Sequence, residues 1–282
     1  VCVVRNNIGP VDDNEAFYEY QMHRRGLVVP RPKKTEKRRI LEALSARPVD
    51  SVVEEMSAKW GFEDRVDLPV ITIDPDGCRD YDDAIGWSTT TEGKRVSVYI
   101  SNVPAWLEHL DRWDVVKGLP ATVYLPHRVV PMLIEFLSTN LCSLVEGRKR
   151  PVLAMDITLS DSGTVSVSFA LCVIRVDRNY RYEDAALEDD STYTGLRSIT
   201  TELQRSVPYM AGELDSHGLV AFYMIYMNHS AAKILHSAKS GISRTHGGKC
   251  TGDRGEVSRV VEGYHGGGAR YVRSGGPLDR GH

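Results

Sequence analysis

The chain has 282 residues, of which 41% are hydrophobic and 26% are charged, and its formal net charge at pH 7 is −3. This balance predicts a soluble globule with one sizeable core and excludes the strongly basic composition of a protein that coats nucleic acid along its length. The longest apolar runs fall short of the roughly 18 residues that a membrane helix requires, and no secretory signal pattern is present. We therefore expect a cytoplasmic protein, or alternatively a nuclear one, that is not secreted.

The first part of the chain, residues 1–65, is predicted to be a helical or linker region with a possible remnant of an OB-fold domain. Apolar residues recur at helical spacing between residues 14 and 65, and prolines interrupt them, which predicts helices separated by short loops. The basic run RPKKTEKRRI at 31–40 is either a solvated linker or helix face, or a phosphate-contacting entrance.

From residue 66 onward the pattern changes to short β-rich segments, and residues 66–282 are predicted to form the second domain. Alternation of apolar and polar residues predicts strands at 69–74, 95–103, 121–126, 152–159 and 164–176 in a mostly antiparallel sheet. Helical spacing predicts helices near 104–117, 131–145, 196–207 and 218–239, the last of them buried on most faces. The predicted fold class is α+β.

Five aspartates are crowded into ten positions of the segment VITIDPDGCRDYDDAI. The predicted strand ends at Asp74 and runs into a loop that holds Asp76, Asp80, Asp82 and Asp83. Like charges this close repel each other and raise one another's pKa unless a cation neutralises them. Carboxylate oxygens are the ligands that the hard ions Mg²⁺ and Mn²⁺ prefer, so the sequence predicts a divalent-metal site in this loop.

Other interpretations of these residues are weaker. A solvated turn explains one or two aspartates but not five. The order Asp74, Asp76, Gly77 resembles the start of a calcium-binding EF-hand loop, but the preceding strand, the position of the glycine and the missing terminal glutamate do not fit. Cys142 and Ser143 have no histidine nearby in the sequence, and we interpret them as packing residues and not as a nucleophile.

The segment TIDPDGCRDYDDAI resembles the signature of the RNB family, to which ribonuclease II belongs. Further segments resemble the family in the expected order: ISNVPAWL (100–107), VYLPHRVVPMLIEFLSTNLCSLVEGRKRPVLAMDI (123–157), NYRYEDA (179–185) and MIYMNHSAAKIL (224–235). Together these segments extend over about residues 65–245. The resemblance implies an RNB-type catalytic domain, a mostly antiparallel sheet with packed helices.

The family resemblance also implies an activity and a set of site residues. The activity is Mg²⁺-dependent hydrolysis of single-stranded RNA from its 3′ end to nucleoside 5′-monophosphates, with Mn²⁺ as the alternative metal. Asp74, Asp80 and Asp83 would hold the metal, and Asp82 would be the catalytic residue whose loss most damages cleavage. Tyr124 would bind RNA by stacking on the terminal base, a role that suits degradation independent of sequence.

The resemblance weakens in the segment YVRSGGPLDRGH, residues 271–282. The family has Thr-Ser-Pro-x-Arg-Arg-Tyr there, and its second arginine stabilises the scissile phosphate. Arg280 aligns with that arginine and is a catalytic candidate, whereas Asp279 replaces the first arginine and would repel the phosphate. We expect a domain that is truncated or divergent at its C-terminus, with flanking OB-fold domains largely absent. The alternative functions are a degenerate RNB domain that binds single-stranded RNA without cleaving it and a metal-stabilised domain with no nucleic-acid role.

Overall fold

The computed structural model describes residues 7–27, 48–116, 119, 121–206, 214–246 and 269–273. Its fold is α+β, as predicted. The helices are α1 (Asn14–Arg24), α2 (Val49–Trp60), α3 (Val103–His109), α4 (Ser191–Ser206) and α5 (Ser216–Ser237). The strands are β1 (Glu63–Asp64), β2 (Val70–Asp74), β3 (Asp83–Thr90), β4 (Gly93–Ser101), β5 (Val123–Tyr124), β6 (Val129–Val130), β7 (Lys149–Leu159), β8 (Val165–Arg175), β9 (Arg178–Arg181), β10 (Ile242–His246) and β11 (Ala269–Arg273). Short 3-10 helices span Trp113–Val116 and Ala185–Leu187, and a π-helical turn spans Leu137–Leu141.

Seven of the strands form one sheet, in the order β1-β8-β7-β4-β3-β2-β9. The pairs β3–β4 and β7–β8 are neighbours joined by short turns, and strands connected in this way run antiparallel. The short strand β1 instead pairs parallel with β8, with Glu63 opposite Cys172. Strands β5 and β6, and β10 and β11, form separate two-stranded antiparallel ribbons.

The structure corrects three predicted elements. The loop that carries the acidic residues is shorter than predicted, because Asp83 is already the first residue of strand β3. The sequence patterns did not predict this strand. The predicted strand at 121–126 contracts to Val123–Tyr124. The predicted helix at 131–145 contracts to the π-helical turn, since carbonyl groups after it bond elsewhere: Ser101 donates to the carbonyl of Cys142 and Arg150 donates to that of Ser143.

Side-chain caps fix where helices begin. The Asp13 carboxylate accepts from the Glu15 amide at the start of α1, and Asp215 accepts from the Gly218 amide at the start of α5. Only the first part of α5 is buried, and its last turns are exposed, including Ile234 at 53%. The prediction that this helix is buried on most faces was therefore wrong for its last turns, whereas Met227 and His229 before them are buried. None of the described helices has the length and apolar character needed to cross a membrane.

The chain divides into two compact units. The first consists of Val1–Ala84, Tyr99–Ala154 and Ala170–Asn179, and the second of Ile85–Val98, Met155–Phe169 and Tyr180–His282. In the first unit, buried residues of α2, α3 and the π-helical turn form one core cluster, among them Met56, Trp106 and Leu137. A second cluster of the same unit lies along the strands, with Val70 and Tyr99 among its members. All the aspartates of the acidic segment lie in this first unit.

Candidate metal and RNA site

Strand β2 carries the first aspartate of the site into the interior. All five residues of this strand are buried, and Asp74 at its end is only 9% exposed. Hydrogen bonds from Thr72 and Cys78 reach the Asp74 carboxylate, but its Oδ2 atom is buried without a hydrogen-bond partner. A buried carboxylate oxygen without a donor is costly, so this atom is available to a cation.

A tight turn brings the chain back past this carboxylate. The Cys78 amide donates to the Pro75 carbonyl at 3.2 Å, and Gly77 takes a positive φ of 75° in the turn. The Cys78 thiol then lies 3.8 Å from Oδ1 of Asp74 and 3.9 Å from Oδ1 of Asp80. The Cys78 thiol thus lies near the carboxylates of both Asp74 and Asp80.

The rest of the acidic segment is fastened to residues around Ser143. The Ser143 hydroxyl accepts from the Tyr81 amide and donates to the Arg79 carbonyl, each at 3.0 Å. The Leu144 amide donates to the Tyr81 carbonyl, and the Ser101 amide donates to the carbonyl of Asp82, each at 2.9 Å. Backbone groups therefore hold the segment, while the side chains of Asp80 and Asp82 stay exposed.

Arg150 in turn holds the backbone around Ser143 in place. Its guanidinium is buried and donates to the carbonyls of Ser143 and Asn140, each at 2.9 Å, and to that of Lys149 at 2.8 Å. Burial lowers the pKa of Arg150 to about 10, so the side chain is still cationic at neutral pH. It thereby satisfies carbonyl groups that a regular helix would have paired internally.

The electrostatics of the site favour a bound cation. Burial, opposed by hydrogen bonds and reinforced by the charges of Asp82 and Asp80, raises the pKa of Asp74 to about 6. Burial and the charges of Asp74 and Asp82 raise the pKa of Asp83 to about 7. Asp82 is exposed, yet partial loss of hydration and the charge of Asp80 also raise its pKa. A divalent ion would relieve both the burial cost and the repulsion.

The ligand set is chemically suited to such an ion but is not assembled for it. The oxygens are those that Mg²⁺ and Mn²⁺ prefer, and the unpartnered Oδ2 of Asp74 is a ready donor. Within the described part of the chain, however, no three His, Cys, Asp or Glu side chains converge on one point closely enough to hold a metal. The carboxylates would have to close in around the ion.

The remaining predicted residues lie apart from the aspartates in the chain. Tyr124 is on the β5–β6 ribbon, and its side chain is 75% exposed, not half-buried as an ordinary strand tyrosine would be. The neighbouring Val123 and Leu125 pack against the small cluster around Met22, which leaves the tyrosine ring facing solvent. Arg280 lies outside the described residues, so its predicted role stays a prediction.

Sequence patterns missed the residues that support the site. Ser143 was interpreted as packing, but its hydroxyl holds the acidic segment. Arg150 and Cys78 were not singled out. The signals were a serine within an apolar Leu-Cys-Ser-Leu stretch, where a buried hydroxyl needs a partner, and an arginine directly before the apolar part of a predicted strand.

Strand β2, the acidic segment that follows it and strand β3 all lie within the part of the chain that matches a known family. Residues 62–194 match the RNB domain family, which confirms the predicted family resemblance and fold. Ribonuclease R of Acidithiobacillus ferrooxidans is 34% identical to this chain over 141 residues. Exoribonuclease 2 of Vibrio parahaemolyticus is 34% identical over 116 residues.

The solved structure of Mycoplasma genitalium RNase R in complex with ribose methylated single-stranded RNA has a similar fold. The TM-score is 0.67 at 21% identity, over 85% of this chain and 42% of that one. The matches to the two enzymes above cover 49% and 38% of this chain, but only 31% and 17% of the enzymes' own lengths. The chain thus spans about a third or less of the curated relatives it matches.

Proposed function

We propose that this chain is the catalytic domain of a metal-dependent exoribonuclease, which hydrolyses single-stranded RNA from the 3′ end to nucleoside 5′-monophosphates. The observation that carries the proposal is the aspartate cluster itself, which lies inside the RNB-matching region and contains a buried carboxylate oxygen without a partner. The similarity to bacterial ribonuclease R and exoribonuclease 2 supports the same activity.

In this proposal three aspartates bind the metal and a fourth is catalytic. Asp74, Asp80 and Asp83 would hold Mg²⁺, or Mn²⁺ in its place, and when bound the ion would supply charge neutralisation at the scissile phosphate and would lower the pKa of the attacking water. Asp82 is exposed beside them and orients the reacting groups. Tyr124 stacks on a base near the 3′ end, and Arg280 contacts the phosphate. Residues 66–282 form the catalytic domain and residues 1–65 the N-terminal region, and the protein acts in the cytoplasm.

The direction and products of the reaction test this proposal. Purified protein is incubated with Mg²⁺ and a 5′-labelled single-stranded RNA, and with the same RNA blocked by a 3′-phosphate. We expect a ladder that shortens from the 3′ end, release of 5′-monophosphates, and inhibition by the 3′ block. Internal cuts, or release of nucleoside diphosphates when inorganic phosphate is added, would refute hydrolysis from the end.

A second candidate function is RNA binding without cleavage. The changed segment at 271–282, with Asp279 in place of an arginine, favours it. The fold accommodates this outcome too, since the structure of yeast Ssd1, a pseudonuclease, matches 68% of this chain with a TM-score of 0.54 at 14% identity. Retention of single-stranded RNA in a filter-binding assay, with no Mg²⁺-dependent shortening, would support this function over the first.

A further inference from the structure

The backbone on both sides of Asp80 is held by one buried hydroxyl group. Residues 78–82 have no regular secondary structure, so their backbone groups need partners from elsewhere. The Ser143 side chain, which is fully buried, supplies two of these partners: its hydroxyl bonds the Tyr81 amide and the Arg79 carbonyl. The two bonded groups flank Asp80 directly.

The hydroxyl is itself rigidly placed. The Ser143 carbonyl accepts from Arg150, and the Leu144 amide donates to the Tyr81 carbonyl. On the far side, the Asn179 amide group donates to the Leu144 carbonyl at 3.0 Å and to the Thr72 hydroxyl of β2 at 2.9 Å. Hydrogen bonds therefore run from strand β2, which carries Asp74, through this segment to the backbone around Asp80.

We propose that Ser143 is a positioning residue that sets the affinity of the acidic segment for its divalent metal, by holding Asp80 in reach of Asp74. This inference rests on the metal site of the proposed function. Because the carboxylates are not yet assembled, metal binding has to order them, and the less the segment moves beforehand the smaller that cost is. Loss of the hydroxyl frees the Tyr81 amide and the Arg79 carbonyl together, so the segment around Asp80 becomes mobile.

The test measures Mn²⁺ binding to metal-free protein by paramagnetic resonance, for the wild type and Ser143→Ala. We expect Ser143→Ala to bind Mn²⁺ about tenfold more weakly at unchanged stoichiometry. The control is Ser97→Ala, which also removes a buried serine hydroxyl; this hydroxyl donates to the Asp156 carboxylate at 2.6 Å and makes no described hydrogen bond to the acidic segment. This control should bind Mn²⁺ as the wild type does, even if its melting temperature falls.

A second readout is independent of metal. Trypsin cleavage after the exposed Arg79, followed by mass spectrometry, should be faster in metal-free Ser143→Ala than in the wild type or Ser97→Ala. If Ser143→Ala does not fold, Ser143→Cys takes its place, because the thiol stands at the same position of the side chain but is a weak donor and acceptor, and it should show a smaller loss of affinity in the same direction.

The outcomes separate the role of Ser143 from the proposed metal site and the proposed activity. Unchanged Mn²⁺ affinity in the folded Ser143 variant overturns the proposal, whatever the proteolysis shows. A wild type that binds no Mn²⁺ overturns both this inference and the proposed metal site. A wild type that binds Mn²⁺ but releases no nucleotides refutes only the proposed activity, and the Ser143 comparison still stands.

Discussion

Asp74, the last residue of β2, and Asp83, the first residue of β3, lie close enough for the charge of Asp74 to raise the pKa of Asp83. Burial is the larger cause, and the two effects together raise that pKa to about 7. Burial likewise raises the pKa of Asp74 to about 6. Without a metal, the folded protein therefore favours protonated carboxyls at this point, and ionising them at neutral pH costs stability.

This relationship predicts how the metal-free protein responds to pH. The ordinary pKa of these carboxyls is 3.8, so between about pH 4 and pH 7 the folded state binds more protons than the unfolded state, and stability falls as the pH rises. One pKa unit corresponds to about 1.4 kcal/mol, so Asp74 alone contributes a loss of about 3 kcal/mol across that window. Thermal melts in EDTA from pH 4 to pH 8 measure it.

The control for this prediction replaces the titrating groups. Asp74→Asn and Asp83→Asn should each flatten the decline of melting temperature with pH. Added Mg²⁺ should raise the wild-type melting temperature more at pH 8 than at pH 5, because the ion binds ionised carboxylates. A melting temperature that rises steadily from pH 5 to pH 8 in EDTA, equally in both variants, would contradict the electrostatic account.

Tyr124 offers a test of RNA binding that is separate from stability. Its ring is 75% exposed, so Tyr124→Ala should change the free energy of unfolding by less than about 0.5 kcal/mol. Stacking on a base contributes about 1–3 kcal/mol, which predicts a loss of single-stranded RNA affinity of about 5- to 150-fold. Fluorescence anisotropy with a labelled oligonucleotide measures it, without metal so that no cleavage occurs.

Tyr124→Phe is the matched variant, since it keeps the aromatic face and removes only the hydroxyl. It should bind RNA within about twofold of the wild type if stacking is the contact that matters. Equal losses in the Ala and Phe variants would point to the hydroxyl instead, and no loss in either would remove Tyr124 from the RNA site.

The sequence predicted most of what local patterns can encode. Strand β2 and the start of the acidic segment at Asp74 were correct, because a buried apolar strand ending in clustered aspartates is a local signal. Strand β3 was missed because its first residue is an aspartate and its middle contains a glycine, Gly86, both of which disfavour strands. Its pairing in the centre of the sheet outweighs those preferences.

The supporting contacts of the site could not be predicted. Ser143 and Tyr81 are 62 positions apart in the chain, and Asn179 and Thr72 are 107 apart. No spacing rule connects residues at such separations, since only the folded sheet brings them together. The same reason explains the failed helix at 131–145: its carbonyls bond to Arg150 and Ser101, which lie outside the segment itself.

A packing contact in the second unit gives a stability prediction that does not involve the site. A Cβ added to Gly195 of α4 would lie 2.3 Å from the indole nitrogen of Trp87, far inside contact distance. Gly195→Ala gains about 1 kcal/mol of helix propensity, but overpacking costs about 1–3 kcal/mol, and a clash this short falls at the upper end. We expect a net destabilisation of about 1–2 kcal/mol in urea unfolding.

Thr201→Ala is the control on the same helix, because this side chain is exposed and its hydrogen bond within the described part of the chain is to the Arg197 carbonyl of the same helix. It should shift the unfolding free energy by less than about 0.5 kcal/mol. If Gly195→Ala were instead more stable than the wild type, the helix would not sit against Trp87 as the structure has it.

The most direct test of the central claim is Asp82→Asn, assayed for both RNA binding and nucleotide release. Asp82 is exposed, and within the described part of the chain only its backbone carbonyl accepts a hydrogen bond, so the variant should fold and melt like the wild type. We predict that it binds single-stranded RNA with wild-type affinity while Mg²⁺-dependent release of 5′-monophosphates falls at least about 100-fold, a typical loss when a catalytic group is removed. Release of 5′-monophosphates at the wild-type rate from Asp82→Asn would contradict the catalytic role of Asp82.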